Sequence, residues 1–396
     1  MARFLDRASP PHIFTLVMAT AVSSLATNVF LPSLPGIASY FDSDYALAQL
    51  TVSIYLAATA ILQLGIGPAS DRFGRRPVML VCLGMFVAGS AMAVLAPTIE
   101  VLLAARVLQS FSAAGMVLAR AIVRDTVASD EAASRIGYIT MGMALVPMAA
   151  PVLGGVLEEI HGWQASFVAM LVFGLATFLL VFFDLGETNH ATSTSMAAQM
   201  RAYPGLLRLV PFWGYTLSMA FASGIFFAVV GAGPLVATDI LGLRPSEYGL
   251  YFALMSLGYM VGNFLSGRYS RRVGVDRMTL GGNFVATGGV VLSFLLFALG
   301  VSGAVALFGS MALVGLGNGM TMPNAAAGVV SVRPNLAGSA SGLAGAFQLG
   351  MAAGISALAG IVVTPQTGIN AMLGLMFACG LAAILSSSMV VLSKRR

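Results

Sequence analysis

Gly67-Pro68-Ala69-Ser70-Asp71-Arg72-Phe73-Gly74-Arg75-Arg76-Pro77 separates two uncharged runs, 46–70 and 77–96. Each run is long enough to cross a hydrocarbon core as a helix, which takes about 20 apolar residues. The glycines permit a tight reversal between two such helices. The arginines hold the turn on the face where basic residues gather. Asp71 is placed to accept hydrogen bonds from a neighbouring helix N-terminus, where negative charge is favoured. A single basic turn can be an ordinary loop, but this one recurs. Gly267-Arg268-Tyr269-Ser270-Arg271-Arg272-Val273-Gly274 lies 200 residues on and again follows the second span of its half. A repeat at that period predicts two similar six-helix halves around a central path.

Composition sets the same class. Charged residues make up 9% of the 396 and apolar residues 58%, against about a quarter charged in soluble domains. So few charges cannot cover the surface of a water-soluble protein. Uncharged runs fall near 13–34, 46–70, 77–96, 101–123, 136–157 and 163–183, and again near 210–237, 248–267, 278–299, 302–330, 336–363 and 367–392. They are continuously apolar without period-two alternation, so helices are predicted rather than barrel strands. Arg3 and Arg7 followed by an apolar run imitate a signal peptide, yet the run continues to Phe41 and reads as the first helix.

Basic residues test the topology independently. With the N-terminus in the cytoplasm, seventeen of the 20 Lys and Arg fall in cytoplasmic segments, from Arg3 and Arg7 to Lys394, Arg395 and Arg396. Arg106 and Arg120 sit inside the fourth run, and Arg244 alone lies outside. Both termini are therefore expected in the cytoplasm. The net charge of +5 is dispersed between apolar runs, which argues against nucleic acid. The polar segment 186–209 reads as a cytoplasmic linker between a bundle at 1–185 and a second at 210–396. One chain supplies both halves, so a monomer is expected.

Arg106 is the leading candidate for substrate or coupling work. A charge within hydrocarbon costs about 2.5–3.5 kcal/mol on insertion scales and normally faces a polar cavity. The competing reading is a structural arginine bonding to carbonyls at a helix kink. Gln109 is one turn on and shares that face. Asn28, Asn263, Asn318, Asn324 and Gln348 are pocket candidates, because an amide in hydrocarbon needs a partner. Tyr55 joins them as a hydroxyl, although neither it nor Tyr138 can replace a carboxylate near neutral pH. All 15 carboxylates fall at or beyond span ends, with Asp42, Asp44 and Glu100 near the outer ends. Cys82 and Cys379 read as small buried hydrophobes. His12, His161 and His190 do not cluster, no hydrolase or phosphate-loop pattern occurs, and no cofactor or metal is expected.

The Gly67–Pro77 stretch resembles the loop between the second and third helices of the major facilitator superfamily, and its drug/proton antiporter branch, the Bcr/CflA-type multidrug resistance transporters, is the most similar. Arg106-Val107-Leu108-Gln109 fits the fourth helix of that family. Pro147-Met148-Ala149-Ala150-Pro151-Val152-Leu153-Gly154-Gly155 is similar to its fifth-helix antiporter motif, with Val146 in place of the usual leading glycine. Leu31-Pro32-Ser33-Leu34-Pro35 and Ala337-Gly338-Ser339-Ala340-Ser341 extend the likeness over nearly the whole chain. The resemblance implies an all-α membrane protein with twelve transmembrane helices in two pseudo-symmetric bundles, located in a bacterial cytoplasmic (inner) membrane. It implies efflux of drugs or small amphipathic molecules by alternating access, coupled to protons. It gives Gly67, Asp71, Arg72, Gly74, Arg75, Arg124 and Asp125 a cytoplasmic gating network, Arg106 proton coupling or substrate contact, and Pro147, Pro151, Gly154 and Gly155 the antiporter motif. One departure stands out. The branch carries an aspartate where this chain has Asn28, and asparagine cannot titrate. The alternative is therefore a proton-independent facilitator or exchanger of small polar or anionic molecules on the same fold.

Overall fold

Proline, glycine and charge mark where each apolar run must turn, and the computed structural model places its helices between those marks. It describes residues 4–7, 9–127, 129–189, 204–301, 303–333 and 336–393, without the side chains of 129–134, 136–138, 140–144, 337 and 393. Arg3, Arg201, His190, the Lys394–Arg396 tail, the Tyr138 and Ala337 side chains and most of the 186–209 segment lie outside the described residues.

The first half comprises α1 (Ile13–Tyr40), α2 (Tyr45–Phe73), α3 (Arg75–Val94), α4 (Ile99–Thr126), α5 (Ser129–His161) and α6 (Gln164–Asp184). The second comprises α7 (Val210–Ile240), α8 (Pro245–Val273), α9 (Val275–Ala298), α10 (Ala304–Val332), α11 (Ala337–Val362) and α12 (Gly368–Ser393). Among the described residues, 11 of these are apolar and long enough to cross a membrane. The remaining rod, α5, has 33 residues, about 50 Å at 1.5 Å per residue. Several helices outrun their apolar stretches by half a turn to two turns, as α1 does in reaching Tyr40, because a helix needs no apolar residue where it leaves hydrocarbon.

Burial separates the helices by a rule of three. The most apolar stretches of α1, α4, α7 and α10 are 61%, 56%, 89% and 61% buried, whereas those of α2, α3, α6, α8, α9, α11 and α12 are at most 44%. Every third helix is therefore an inner one in both halves. The outer helices expose large apolar side chains, such as Val172, Leu175, Leu179 and Phe183 on α6. A continuous belt of that kind is stable against lipid and not against water.

The repeat is visible in the backbone. Gly74 joins α2 to α3 at φ +95°, and Gly274 joins α8 to α9 at φ +90°. Both angles lie in the region that L side chains avoid, so glycine is needed for the reversal. Three of the four inner helices are interrupted: α1 by a tight turn at Leu31–Ser33, α4 by another at Ser110–Ser112, and α7 by a wide turn at Val236–Ile240. Pro32 and Pro35 account for the first, since each lacks an N–H and crowds the preceding turn.

Below, the face carrying the Arg72–Arg76 turn is called inner and the opposite face outer. The halves meet through α2 against α11 and α5 against α8. At the outer side Tyr45 Oη donates to Gly231 O (2.9 Å) and Gln49 Nε2 to Ser356 Oγ (2.6 Å). Ser246 N–H donates to Glu159 Oε1 (3.0 Å) and Ser256 Oγ to Pro147 O (3.2 Å). The outer seam between the halves is closed.

Candidate functional site

Where α1 breaks, the carbonyls of the last turn of Ile13–Asn28 lose their partners further along the helix. That turn is also the negative end of a helix dipole, which favours a cation. Arg106, from α4, fills the position. Its Nη2 donates to Ala26 O (2.9 Å), its Nε to Thr51 O on α2 (2.9 Å) and its Nη1 to Gln109 Oε1 (2.6 Å). The guanidinium carbon lies 4.3 Å from the centre of the Phe30 ring and 4.4 Å from that of Tyr55. Arg106 is fully buried, and among the described residues no carboxylate pairs with it. Charged hydrogen bonds are worth about 1.5–3 kcal/mol and a desolvated cation–π contact about 2 kcal/mol. Together these are large enough to offset the insertion cost of the cation.

Gln109 carries the chain of contacts onward. Its Nε2 donates to Ser90 Oγ on α3 (2.9 Å), which donates to Phe86 O. Tyr55 Oη lies 3.0 Å from Ser23 Oγ and 2.9 Å from Ser112 Oγ, joining α1, α2 and α4 at the break in α4. Arg106, Gln109 and Tyr55 therefore form one buried knot. Asn28 is close in sequence but bonds within its own helix, Nδ2 to Ser24 O (2.7 Å), and its Oδ1 is buried without a partner. Asp42, Asp44 and Glu100 do not approach Arg106. They line a separate outer cleft of about 510 Å³.

The amides of the second half are not gathered into one site. Asn324 donates to Ser266 Oγ on α8 (2.8 Å), Asn263 to Tyr259 O (2.9 Å) and Gln348 to Ser223 Oγ on α7 (2.6 Å), while Asn318 Oδ1 is buried without a partner. Asn283 on α9 does more than any of them. It donates to Ser218 Oγ, Ala383 O and Ser387 Oγ, and accepts from Thr321 Oγ1, tying α7, α10 and α12 together. Its signal was available: an amide inside an apolar run. Gln49 was missed in the same way.

At the inner face Arg75 is the hub. It donates to Asp125 (2.9 Å), Asp71 (2.5 Å) and Ser70 Oγ (2.6 Å). The expected network thus includes Asp71, Arg75 and Asp125, but Arg72 and Arg124 are exposed and stay outside it. Gly67 lies beside Val117 of α4. Asp71 does not cap a helix N-terminus. That place belongs to Glu187, just past α6, which accepts from the N–H groups of Arg75 (2.9 Å) and Arg76 (3.3 Å) at the start of α3. Asn189 Nδ2 donates to Asp71 O (2.9 Å), at the end of α2. Arg76 in turn donates to Leu185 O (2.8 Å). Burial works to raise the Glu187 carboxyl, but the N–H groups of Asn189, Arg75, Arg76 and Thr188 outweigh it and hold the group below the ordinary carboxylate range. A Cβ on Gly74 would come within 2.9 Å of the Glu187 carboxyl carbon, whereas around Gly274 the space is open. Glu187 and Asn189 carry no local signal of this role, because they cap helices distant in sequence.

The fifth-helix glycines serve close approach. A Cβ on Gly155 would lie 2.7 Å from Ser246 Cα, and one on Gly249 2.8 Å from Val152 Cα. Gly154 sits directly against Val29 O at the break in α1. Pro147 and Pro151 each present a carbonyl to α8, to Ser256 and Gly249 respectively. The motif residues thus form the contact surface of α5 with both α1 and α8.

Comparison with known proteins agrees with this architecture. The family model for the Major Facilitator Superfamily matches residues 16–355. A bicyclomycin resistance protein homolog of Haemophilus influenzae is 29% identical over 86% of this chain and 86% of its own length. Multidrug resistance protein D of Escherichia coli is 28% identical over 94% of both. A solved bacterial homolog of the human lysosomal transporter Spinster, in an inward-facing and occupied conformation, shares the fold with a TM-score of 0.76 at 16% identity, over 97% of this chain and 96% of that one. The chain is a multi-pass membrane transporter for small molecules and belongs to the Major Facilitator Superfamily.

Proposed function

We propose that this transporter exports small amphipathic organic molecules from the bacterial cytoplasm, across the inner membrane, by alternating access. It works as a monomer with both termini cytoplasmic, its bundles dividing at the 186–209 segment. The names of the relatives, which speak of bicyclomycin and multidrug resistance, support the substrate class. The observation that carries the mechanism is the outer seam, where glycines on α5 and α8 let two separate bundles touch backbone to backbone. Close backbone packing and a few hydrogen bonds, among them Tyr45 to Gly231 and Ser246 to Glu159, hold this seam, so it can part as a unit. The knot of Arg106, Gln109 and Tyr55 supplies polar contacts near the path. The test is accumulation of ethidium in a drug-sensitive strain with and without the gene. Lower accumulation with the gene is expected, and unchanged accumulation across a broad drug panel would contradict export.

One observation favours a second reading, a proton-independent facilitator or exchanger of small polar or anionic molecules. Arg106 has no carboxylate partner among the described residues, and Asn28 cannot bind a proton near neutral pH. Transport in proteoliposomes with and without a pH gradient separates the two. Equal rates without concentrative uptake support the second reading.

A further inference from the structure

Four residues of α5 form two parallel stripes, because positions four apart share a helix face. Gly154 and Glu158 ride on α1: the glycine meets Val29 O, and the glutamate lies against Gly36 with Ser33 in hydrogen-bonding reach. Gly155 and Glu159 ride on α8: the glycine meets Pro245 and Ser246, and the glutamate accepts the Ser246 N–H. One helix is thus held between its own half and the opposite one. Each stripe is made of a glycine and a carboxylate.

The two carboxylates have different surroundings. Glu159 is exposed at the outer face, beside Arg244 and Glu247, which bond to each other at 3.1 Å. Glu158 is half-buried against α1, and its Oε2 is buried without a partner. A Cβ on Gly36 would come within 3.3 Å of its carboxyl carbon, so the α1 side is filled. No charged group faces it from α1, which offers Ser33 and Gly36, or from the start of α6, where Trp163, Gln164, Ala165 and Ser166 are not ionisable. His161 is the nearest ionisable neighbour along α5 besides Glu159. Several other carboxylates are engaged elsewhere. Asp71 and Asp125 pair with Arg75, Asp184 takes donors from Leu5, His12 and Thr15, and Glu187 takes backbone N–H groups. Among the described residues, Glu158 is the carboxylate with a buried oxygen that nothing satisfies.

We propose that Glu158 is the proton-binding group of this transporter, standing in for the first-helix carboxylate that Asn28 replaces. The assignment rests on the efflux reading and adds its coupling ion. A proton from the outer side adds to the carboxylate and makes a neutral acid. That acid is released as carboxylate and proton when the path opens inward. An ionised carboxylate is acceptor-only, and here one oxygen has no donor to accept from. The neutral acid sheds the buried charge, which lowers that cost and lets α5 settle on α1. The ionised form favours withdrawal toward water, which moves α5 and with it the stripe that makes the seam with α8. Proton occupancy therefore favours the closed outer seam, and by reciprocity seam closure raises proton affinity. An exporter that binds its proton from outside needs that sign.

Proteoliposomes carrying the full chain and loaded with a pH dye test this, with ethidium as the transported probe. For the wild type, ethidium transport accompanied by opposite proton flux is expected. Glu158→Gln should lower gradient-driven transport about tenfold or more and abolish proton flux. Proton flux that persists in Glu158→Gln would overturn the assignment. Wild-type exchange without proton flux would overturn it too, yet leave export standing. No ethidium movement of either kind would remove the export reading itself. Infrared difference spectra of wild type and Glu158→Asp supply a readout independent of how well the glutamine variant folds. A protonated-carboxyl band that titrates in the wild type and shifts in the aspartate variant is expected. Absence of such a titrating band would refute the proposal.

Discussion

Replacing Gly155 by alanine perturbs the outer seam at one atom. The new Cβ would lie 2.7 Å from both Pro245 C and Ser246 Cα, and closer still to Pro245 O. These are backbone atoms at the start of α8, so no side chain can swing aside. Overpacking of this kind costs about 1–3 kcal/mol where the neighbours must shift. The cost falls only on the conformation in which α5 and α8 touch at their outer ends, since each bundle retains its own contacts. The closed-to-open ratio should therefore drop by about 5- to 150-fold. Spin labels at the exposed Ile160 on α5 and Leu250 on α8 report the opening. Pulsed distance measurements should show a long-distance population rising in Gly155→Ala, and likewise in Gly249→Ala. Efflux should slow, with unchanged unfolding temperature in the detergent-solubilised protein. A distance distribution identical to the wild type in both variants would refute the reasoning.

Arg106→Lys keeps the charge but loses the fork that reaches Ala26, Thr51 and Gln109 at once, leaving acceptors unsatisfied at about 1–3 kcal/mol each. Ethidium transport should fall about tenfold or more, with reduced thermal stability; a variant like the wild type in both assays would show that the fork is dispensable. For Glu187, the carboxyl is lower in the folded chain than in the unfolded one, so its contribution is present above the unfolded value of about 4.3 and lost as pH falls through the folded value. Being exposed, it should contribute about 1 kcal/mol. Glu187→Gln should therefore melt lower than wild type at pH 7, with the gap closing in acid. Gly74→Ala should destabilise the same turn at all pH values, since φ +95° is strained for alanine regardless of protonation. Parallel melting curves across the pH range check both.

The fold was legible because charge is so scarce that each arginine in a turn carries topological information. The Gly67–Pro77 turn and its repeat at Gly267–Gly274 placed the halves, and both glycines do have positive φ. Arg106 was legible for the same reason, as a charge inside a span, and Gln109 followed from helical spacing. Carbonyls at a helix kink were anticipated as an alternative, but not that they would be Ala26 O and Thr51 O, because backbone geometry rather than residue type frees or exposes these two. Glu187 and Glu158 stayed hidden for a related reason. One caps a helix more than a hundred positions earlier, and the other is buried by a glycine on another helix. Asn263, Asn318, Asn324 and Gln348 met the amide criterion but are spread over three helices, whereas Asn283, which met it equally, holds four together. An amide inside hydrocarbon predicts a partner, and whether that partner is substrate or another helix depends on the tertiary arrangement.

In alternating access the two bundles rock about a common path, one end closing as the other opens. Distances measured on one sample at both ends test it most directly, with labels at Ile160 and Leu250 on the outer side and at Phe73 and Val273 on the inner side, all exposed. Across changes in pH and ethidium, the account predicts that the outer distance lengthens whenever the inner one shortens. Two distances that stay fixed, or that lengthen and shorten together, would contradict it.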